Sequence, residues 1–358
     1  MKIFPCVYVV NDFYRITVAA DDKFICSLEV GGKRYADDGT GIMRSDYCHS
    51  FYVKQNLLEK AGGYTLLVRR FIKKAAYDTE FENEERFSYR LKNRGGGESE
   101  INAAYIADVH NDYAQATEII KAAAKEKDIS LIVFGGDLGE IENRNDAIRF
   151  CEFMSGLTGG EIPAVYCRGN HDARGGYAEE LFKYSGTDGE KGYFAFSYKW
   201  LNGVVLDCGE DKNDDFYVYG GANNFHGYRL KESKFLKKIL NAGKEINVVF
   251  CHVSFMLRDS MFDEFDIERK LYGRWAEYLN GIAPALMVCG HTHKRGYNEP
   301  SDKDIQPHNY PVLSGASLTG TKLTGSLISF YKNGIVKIKE INDCGALNGE
   351  ITVKKGEL

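Results

Sequence analysis

The chain has 358 residues, a length that accommodates two domains. Its formal net charge of −5 argues against a general nucleic-acid binder, which is usually basic, and no apolar run reaches the length of a membrane span. Nine scattered cysteines, an odd number, and a start at Met1–Cys6 without an apolar signal segment predict a cytoplasmic protein with reduced thiols.

Taken in order, residues 1 to about 92 read as all-β. The runs 7–10, 14–18, 23–30, 64–72 and 85–91 are β-branched and aromatic. Asn11-Asp12, Asp21-Asp22, Gly31-Gly32 and Gly62-Gly63 are turn signals between them. This spacing predicts a small sandwich, a first domain over 1–95. The polar, glycine-rich stretch 93–100 reads as a linker.

Beyond it the pattern changes to strand–helix alternation. Strands are predicted at 101–107, 131–134, 164–167, 194–198, 203–206, 246–251 and 285–289. Helices are predicted at 114–127, 145–157, 231–240 and 264–281, the first with Ala116, Ile119, Ile120 and Ala123 on one face. The tail returns to β at 310–313, 326–331 and 335–341. Alternating elements flanked by β runs predict an α/β fold over 101–345, two sheets with helices outside each.

Five of the apolar runs end in residues that bind metals. They end at Asp108-Val109-His110, Gly136-Asp137, Asn170-His171-Asp172, His252, and Gly290-His291-Thr292-His293. Five of the eight histidines lie in these segments, so chance is a poor account of the set. A short run buried on both faces and ended by glycines places Asp137 at the carboxyl end of a central strand, where open α/β sheets bind ligands. Cys167, Cys251 and Cys289 adjoin the motifs but sit inside the buried strands, so they read as small hydrophobes.

This ordered set resembles the calcineurin-like metallophosphoesterase superfamily. The runs 168–175 and 206–212 look like bacterial members with an N-terminal fibronectin- or immunoglobulin-like domain, a layout similar to purple acid phosphatases. The resemblance implies a four-layer α/β/β/α sandwich preceded by the small β domain. It implies two divalent transition ions (Mn, Fe, Zn, Ni or Co), one on Asp108, His110, Asp137 and His293, the other on Asp137, Asn170, His252 and His291. The activity implied is hydrolysis of a small phosphate ester, mono- or diester, by in-line attack of a hydroxide shared by the two ions. His171 would assist the leaving group and Asp172 would orient it. Asn170, Arg168, Arg174 and Asn111 are candidates for substrate contact, with a salt bridge an equal reading for each arginine. A catalytically silent scaffold and a nuclease or cyclic nucleotide phosphodiesterase are the alternatives. Purple acid phosphatases carry a tyrosine ligand three residues after the bridging aspartate. Here that position is Glu140, so a purple ferric site is not expected.

Overall fold

The computed structural model describes residues 1–37, 41–92, 99–255, 268–300, 302, 307–315, 323–342 and 344–354. The N-terminal strands are β1 (Ile3–Val10), β2 (Phe13–Val30), β3 (Lys33–Ala36), β4 (Asp46–Lys54), β5 (Gly63–Arg69), β6 (Phe71–Lys74), β7 (Thr79–Phe81) and β8 (Glu85–Arg90). The central ones are β9 (Glu100–Ile106), β10 (Leu131–Phe134), β11 (Ala164–Tyr166), β12 (Phe194–Tyr198), β13 (Leu201–Leu206), β14 (Val248–Cys251) and β15 (Leu286–Cys289). The last are β16 (Gly296–Asn298), β17 (Val312–Ser314), β18 (Gly325–Tyr331), β19 (Ile335–Ile341) and β20 (Leu347–Lys354). The helices are α1 (Gln55–Ala61), α2 (Tyr113–Glu126), α3 (Arg144–Thr158), α4 (Leu181–Tyr184), α5 (Phe225–Ala242) and α6 (Arg269–Ile282).

Two sheets carry the molecule. The larger runs β20-β19-β18-β9-β10-β11-β1-β2-β5-β8, with β3 and β4 also paired to β2; the smaller runs β12-β13-β14-β15-β17-β16. Strand alternation lets each inner strand serve two cores. Val248 and Phe250 of β14 face the space between the sheets, whereas Val249 and Cys251 face Trp275, Leu279 and Leu236 on the helices α6 and α5. Phe250 lies against Phe196, with centroids 6.1 Å apart, and against Tyr105 of the larger sheet at 6.5 Å. The helices α2 and α3 cover the outer side of the larger sheet with Ile119, Ile120, Phe150 and Met154. The layering is therefore helix, sheet, sheet, helix, as expected. Cys251 and Cys289 lie in the core under α5 and α6 and Cys167 in the core between the sheets, as small hydrophobes do.

The N-terminal β region shares both sheet and core with the rest. β1 pairs parallel with β11 (Tyr8 opposite Ala164) and antiparallel with β2 along its whole length. Arg15 on β2 is buried and spans to the later chain. Its guanidinium donates to the Thr187 carbonyl at 2.7 Å and the Phe182 carbonyl at 2.7 Å, and its Nε donates to Ser50 Oγ at 3.0 Å. Of the expected linker, residues 93–98 lie outside the described residues.

Several boundaries differ from expectation. Asp21-Asp22 is no turn: β2 runs through it, and the pairing with β4 shifts register between Ala19 and Phe24, so an irregularity absorbs the polar pair. The run 64–72 divides into β5 and β6. The helix expected at 231 begins at Phe225, because Asn224 Oδ1 accepts from Gly227 N and Asp214 accepts from the N–H groups of Phe225 and His226. The helix expected from 264 begins at Arg269, and its predicted residues 264–267 lie outside the described residues. No helix among the described residues is long and apolar enough to cross a membrane.

Candidate metal centre

The site forms because parallel strands end at the same level. Ile106, Phe134 and Tyr166 are register partners across β9, β10 and β11, as are Phe250 and Val288 on β14 and β15. Two to five residues beyond each of these levels come Asp108, His110, Asp137, Asn170, His252, His291 and His293. The turns that carry them are tight. Asp108, His110, Asn111, Asp137, His291 and His293 all have φ between 44° and 70°. A non-glycine residue in this left-handed region costs on the order of 1–2 kcal/mol. Six of the ten such residues among the described residues lie here, a concentration typical of a functional site. Backbone bonds hold the turns: Asp108 N to Gly136 O, His110 N to Asp137 O, and Gly290 N to His252 O, at 2.9–3.0 Å.

The loops also approach closely. A Cβ on Gly169 would lie 2.1 Å from Asp137 Oδ1, so this position admits no side chain.

The side chains converge in two groups. Asp108, His110 and His293 bring ligand atoms within 4.8 Å of one another, and so do Asp137, His252 and His291. Asp137 Oδ2 lies 3.1 Å from His252 Nε2 and 3.9 Å from His110 Nε2, between the two groups. The Asn170 side-chain amide lies 2.8 Å from His291 Nδ1. Asp108 accepts from His291 N at 2.9 Å and faces His293 Nε2 at 3.4 Å. All seven expected ligands are thus in one place.

The donor chemistry suits divalent cations. The ring nitrogens of His110 and His293 face tip to tip at 3.2 Å. Imidazole, carboxylate and amide groups gathered this closely are the ligand types such ions take. His252 Nδ1 donates to the Gly135 carbonyl at 2.7 Å, which aims the Nε2 lone pair inward and fixes the tautomer. Burial works against a charge on His252, yet Asp137 and Asp108 outweigh it and raise its pKa to about 10. A divalent ion would supply that positive charge and release the proton. Burial holds His291 down to about 3 and also lowers His110.

His171 lies beside this centre. Its ring stands 4.8 Å from that of His110, edge to face, and the His171 backbone N–H donates to Asp137 Oδ1 at 2.8 Å. Arg174 Nη1 lies 3.2 Å from His171 Nε2 and takes the lone pair there. A neutral His171 therefore carries its proton on Nδ1, which has no hydrogen-bond partner among the described residues and faces Glu140 Oε1 at 3.7 Å. His171 also reaches a group with His110 and Asp137.

Asp172 does not do what was expected of it. It is fully buried, and its carboxylate accepts from the N–H groups of Asp137 (3.0 Å), Leu138 (3.1 Å) and Gly169 (2.9 Å) and from Tyr166 Oη (2.9 Å). The chain enters a single 3₁₀ turn at His171–Ala173, where consecutive side chains point about 120° apart. Asp172 therefore turns inward under the Asp137 loop, away from the His171 ring.

The two arginines part company. Arg168 is buried against Asp207 at 2.9 Å, between the rings of Phe182 and Tyr228, and ties strands together behind the site. Arg174 is partly exposed at the site, clamped by both Glu210 oxygens at 2.6 Å and by Asp211 at 3.1 Å. Asn111 is exposed at the rim, with its side chain beside Gly139. Glu210 and Asp211 carried no assigned role in the sequence. Asp211 Oδ2 lies 3.8 Å from His291 Nε2, and Arg229, buried, donates to the Glu210 carbonyl and holds this loop. Their signal was the acidic pair after β13, which follows an apolar run as the metal motifs do.

The chain belongs to the calcineurin-like phosphoesterase family, whose model matches residues 101–295. Over 97% of this chain and 73% of the other, the fold is similar to that of a purple acid phosphatase from yellow lupin (Lupinus luteus) seeds, with a TM-score of 0.64 and 12% identity. An anchor protein of the inner membrane complex of Plasmodium matches 72% of this chain and 90% of its own, with a TM-score of 0.48 and 15% identity. No curated protein matches the sequence.

Proposed function

We propose that this protein hydrolyses small phosphate esters with two divalent ions, one held by Asp108, His110, Asp137 and His293, the other by Asp137, Asn170, His252 and His291. The observation that carries the reading is the position of Asp137 Oδ2, within 4 Å of a histidine from each group. A carboxylate shared in this way offsets the repulsion between two cations. Bound there, the ions would lower the pKa of a water molecule towards about 7 and neutralise phosphoryl oxygens.

The chain's own residues supply the rest. His171 Nδ1–H is placed to donate to the leaving oxygen, with Glu140 Oε1 3.7 Å away. Arg174, its guanidinium already fixed by Glu210 and Asp211, presents a preorganised donor to a phosphoryl oxygen. Arg168, spent on Asp207, positions the loop and does not bind substrate. Asn111 contributes from the rim. The N-terminal region 1–95 extends the larger sheet of the catalytic region 101–345 and supports it structurally. Eight of the nine cysteines are buried free thiols, which fits a reducing compartment.

The test is hydrolysis of a panel of phosphomonoesters, cyclic nucleotides and diesters, with Mn added and with chelator. Activity lost on chelation and regained with Mn is expected, with about two ions per chain. Full activity in chelator without bound transition metal would overturn the reading.

A further inference from the structure

Beside the metal centre lies an aromatic segment that the chemistry above does not use. It follows Asp211 and Lys212 directly. Lys212 Nζ contacts Asp211 Oδ1 at 2.9 Å and sits 5.5 Å from the centroid of the Phe216 ring. Phe216 packs against Tyr217 and Tyr219, with centroids 4.7 and 5.8 Å apart. The Tyr219 hydroxyl lies against Glu210 and Arg174. The segment is therefore joined to the site through the same residues that hold Arg174 beside His171.

It is also built, not merely loose. Phe216 N bonds to Asn213 O, Tyr219 N to Phe216 O and Ala222 N to Tyr219 O, at 2.9–3.0 Å, while Asp214 fastens its far side to the start of α5. Yet its outer face is bare: Tyr217 is 83% exposed and Val218 63% exposed. A preorganised aromatic face at the rim of a polar site fits a planar ring carried by the substrate. The cations next to it, Arg174 and Lys212, are both paired with carboxylates, so the rim has little unbalanced positive charge to reward a second phosphate group.

From these contacts we infer that the leaving group of the substrate ends in a planar aromatic ring, a nucleoside or aryl moiety, which stacks on Tyr217 while its phosphoryl group occupies the metal centre. The inference rests on the phosphoesterase reading and narrows it to a substrate class. Tyr217 is a specificity-determining residue in this scheme. It binds the distal part of the leaving group and takes no part in bond breaking.

The experiment compares adenosine 5′-monophosphate with ribose 5-phosphate on the Mn-supplemented full chain. The two share the same leaving oxygen and differ only in the base. Base–aromatic stacking is worth roughly 5- to 100-fold in affinity, so wild type should prefer the nucleotide by about that ratio in kcat/KM, chiefly through KM. Tyr217→Ala should collapse the ratio towards one, and Tyr217→Trp should restore it. Because Tyr217 is exposed, its loss leaves the fold intact, which a melting curve checks. A wild-type ratio near one, or a ratio unchanged in Tyr217→Ala, overturns the platform. Absence of turnover on both esters and on p-nitrophenyl phosphate counts against the phosphoesterase reading instead. Calorimetric titration of the same two esters then reads the platform alone, and equal affinities would sink it.

Discussion

Asp172 lies beneath Asp137 and accepts its backbone N–H at 3.0 Å, while two more backbone N–H groups and the Tyr166 hydroxyl fill the remaining positions on the same carboxylate. A buried anion with four donors organises the loops that carry Asp137, Asn170 and His171. Asp172→Ala leaves those donors buried without an acceptor. We expect a loss on the order of 3 kcal/mol in stability and reduced metal content. A pH–rate profile altered at an unchanged melting temperature would return Asp172 to the role of orienting His171.

His171 is the test of mechanism. His171→Asn should lose 10²- to 10⁴-fold in activity on alkyl phosphates, the usual range for general acid catalysis. It should lose much less on an activated aryl phosphate, whose leaving group needs no proton. Glu140→Gln should shift both in the same direction by a smaller factor, as expected for a carboxylate 3.7 Å from the ring. Metal analysis should show both variants loaded like wild type. Loss of an ion from His171→Asn would move His171 into the ligand set with His110 and Asp137.

Colour gives a simpler check. Glu140 stands where the tyrosine ligand of purple acid phosphatases would be and is 58% exposed. The preparation should be colourless after loading with iron. A visible charge-transfer band would mean that another tyrosine reaches an ion.

His308 should make part of the acid lability. It is buried. Its Nε2–H donates to the Phe255 carbonyl at 2.8 Å, and Tyr310 Oη donates to Nδ1 at 2.6 Å. Burial lowers its pKa from 6.5 to about 4. Between these values the unfolded chain takes up a proton that the folded chain refuses. The folded state is therefore undisturbed above pH 6.5 and loses stability as pH falls from 6.5 to 4, by ~3 kcal/mol at most. Denaturant titrations of wild type and His308→Gln at pH 7 and pH 4 measure it. The variant should lose less over that interval, and equal losses would refute the assignment.

Arg15 joins the N-terminal strands to α4 and the loop after it through a buried guanidinium. Arg15→Ala leaves the carbonyls of Phe182 and Thr187 without a donor. An unfolding midpoint lowered by the equivalent of about 2–4 kcal/mol is expected, with a single transition for the whole chain. Two separate transitions would show that the N-terminal strands unfold independently.

The candidate ligand residues were legible in the sequence as local motifs, whereas their division between two ions came from the family resemblance. A strand of β-branched residues followed by a glycine or polar turn fixes where the next side chain stands, and parallel strands bring such ends to one edge. The four layers were legible for the same reason, since apolar runs buried on both faces differ visibly from amphipathic helices. Partnerships across long separations were not legible. Arg168 and Arg174 are six residues apart and read alike, yet one is buried on Asp207 and the other is clamped at the site by Glu210. Asp172 reads as the natural partner of His171, and only the 3₁₀ turn sends it under Asp137 instead. The pairing of β1 with β11 joins residues more than 150 positions apart, and backbone hydrogen bonding carries no residue signature that names its partner strand. Local order follows from the chain's own spacing, whereas the partner of a charged side chain or a strand edge is chosen by packing, which exists only once the chain has folded.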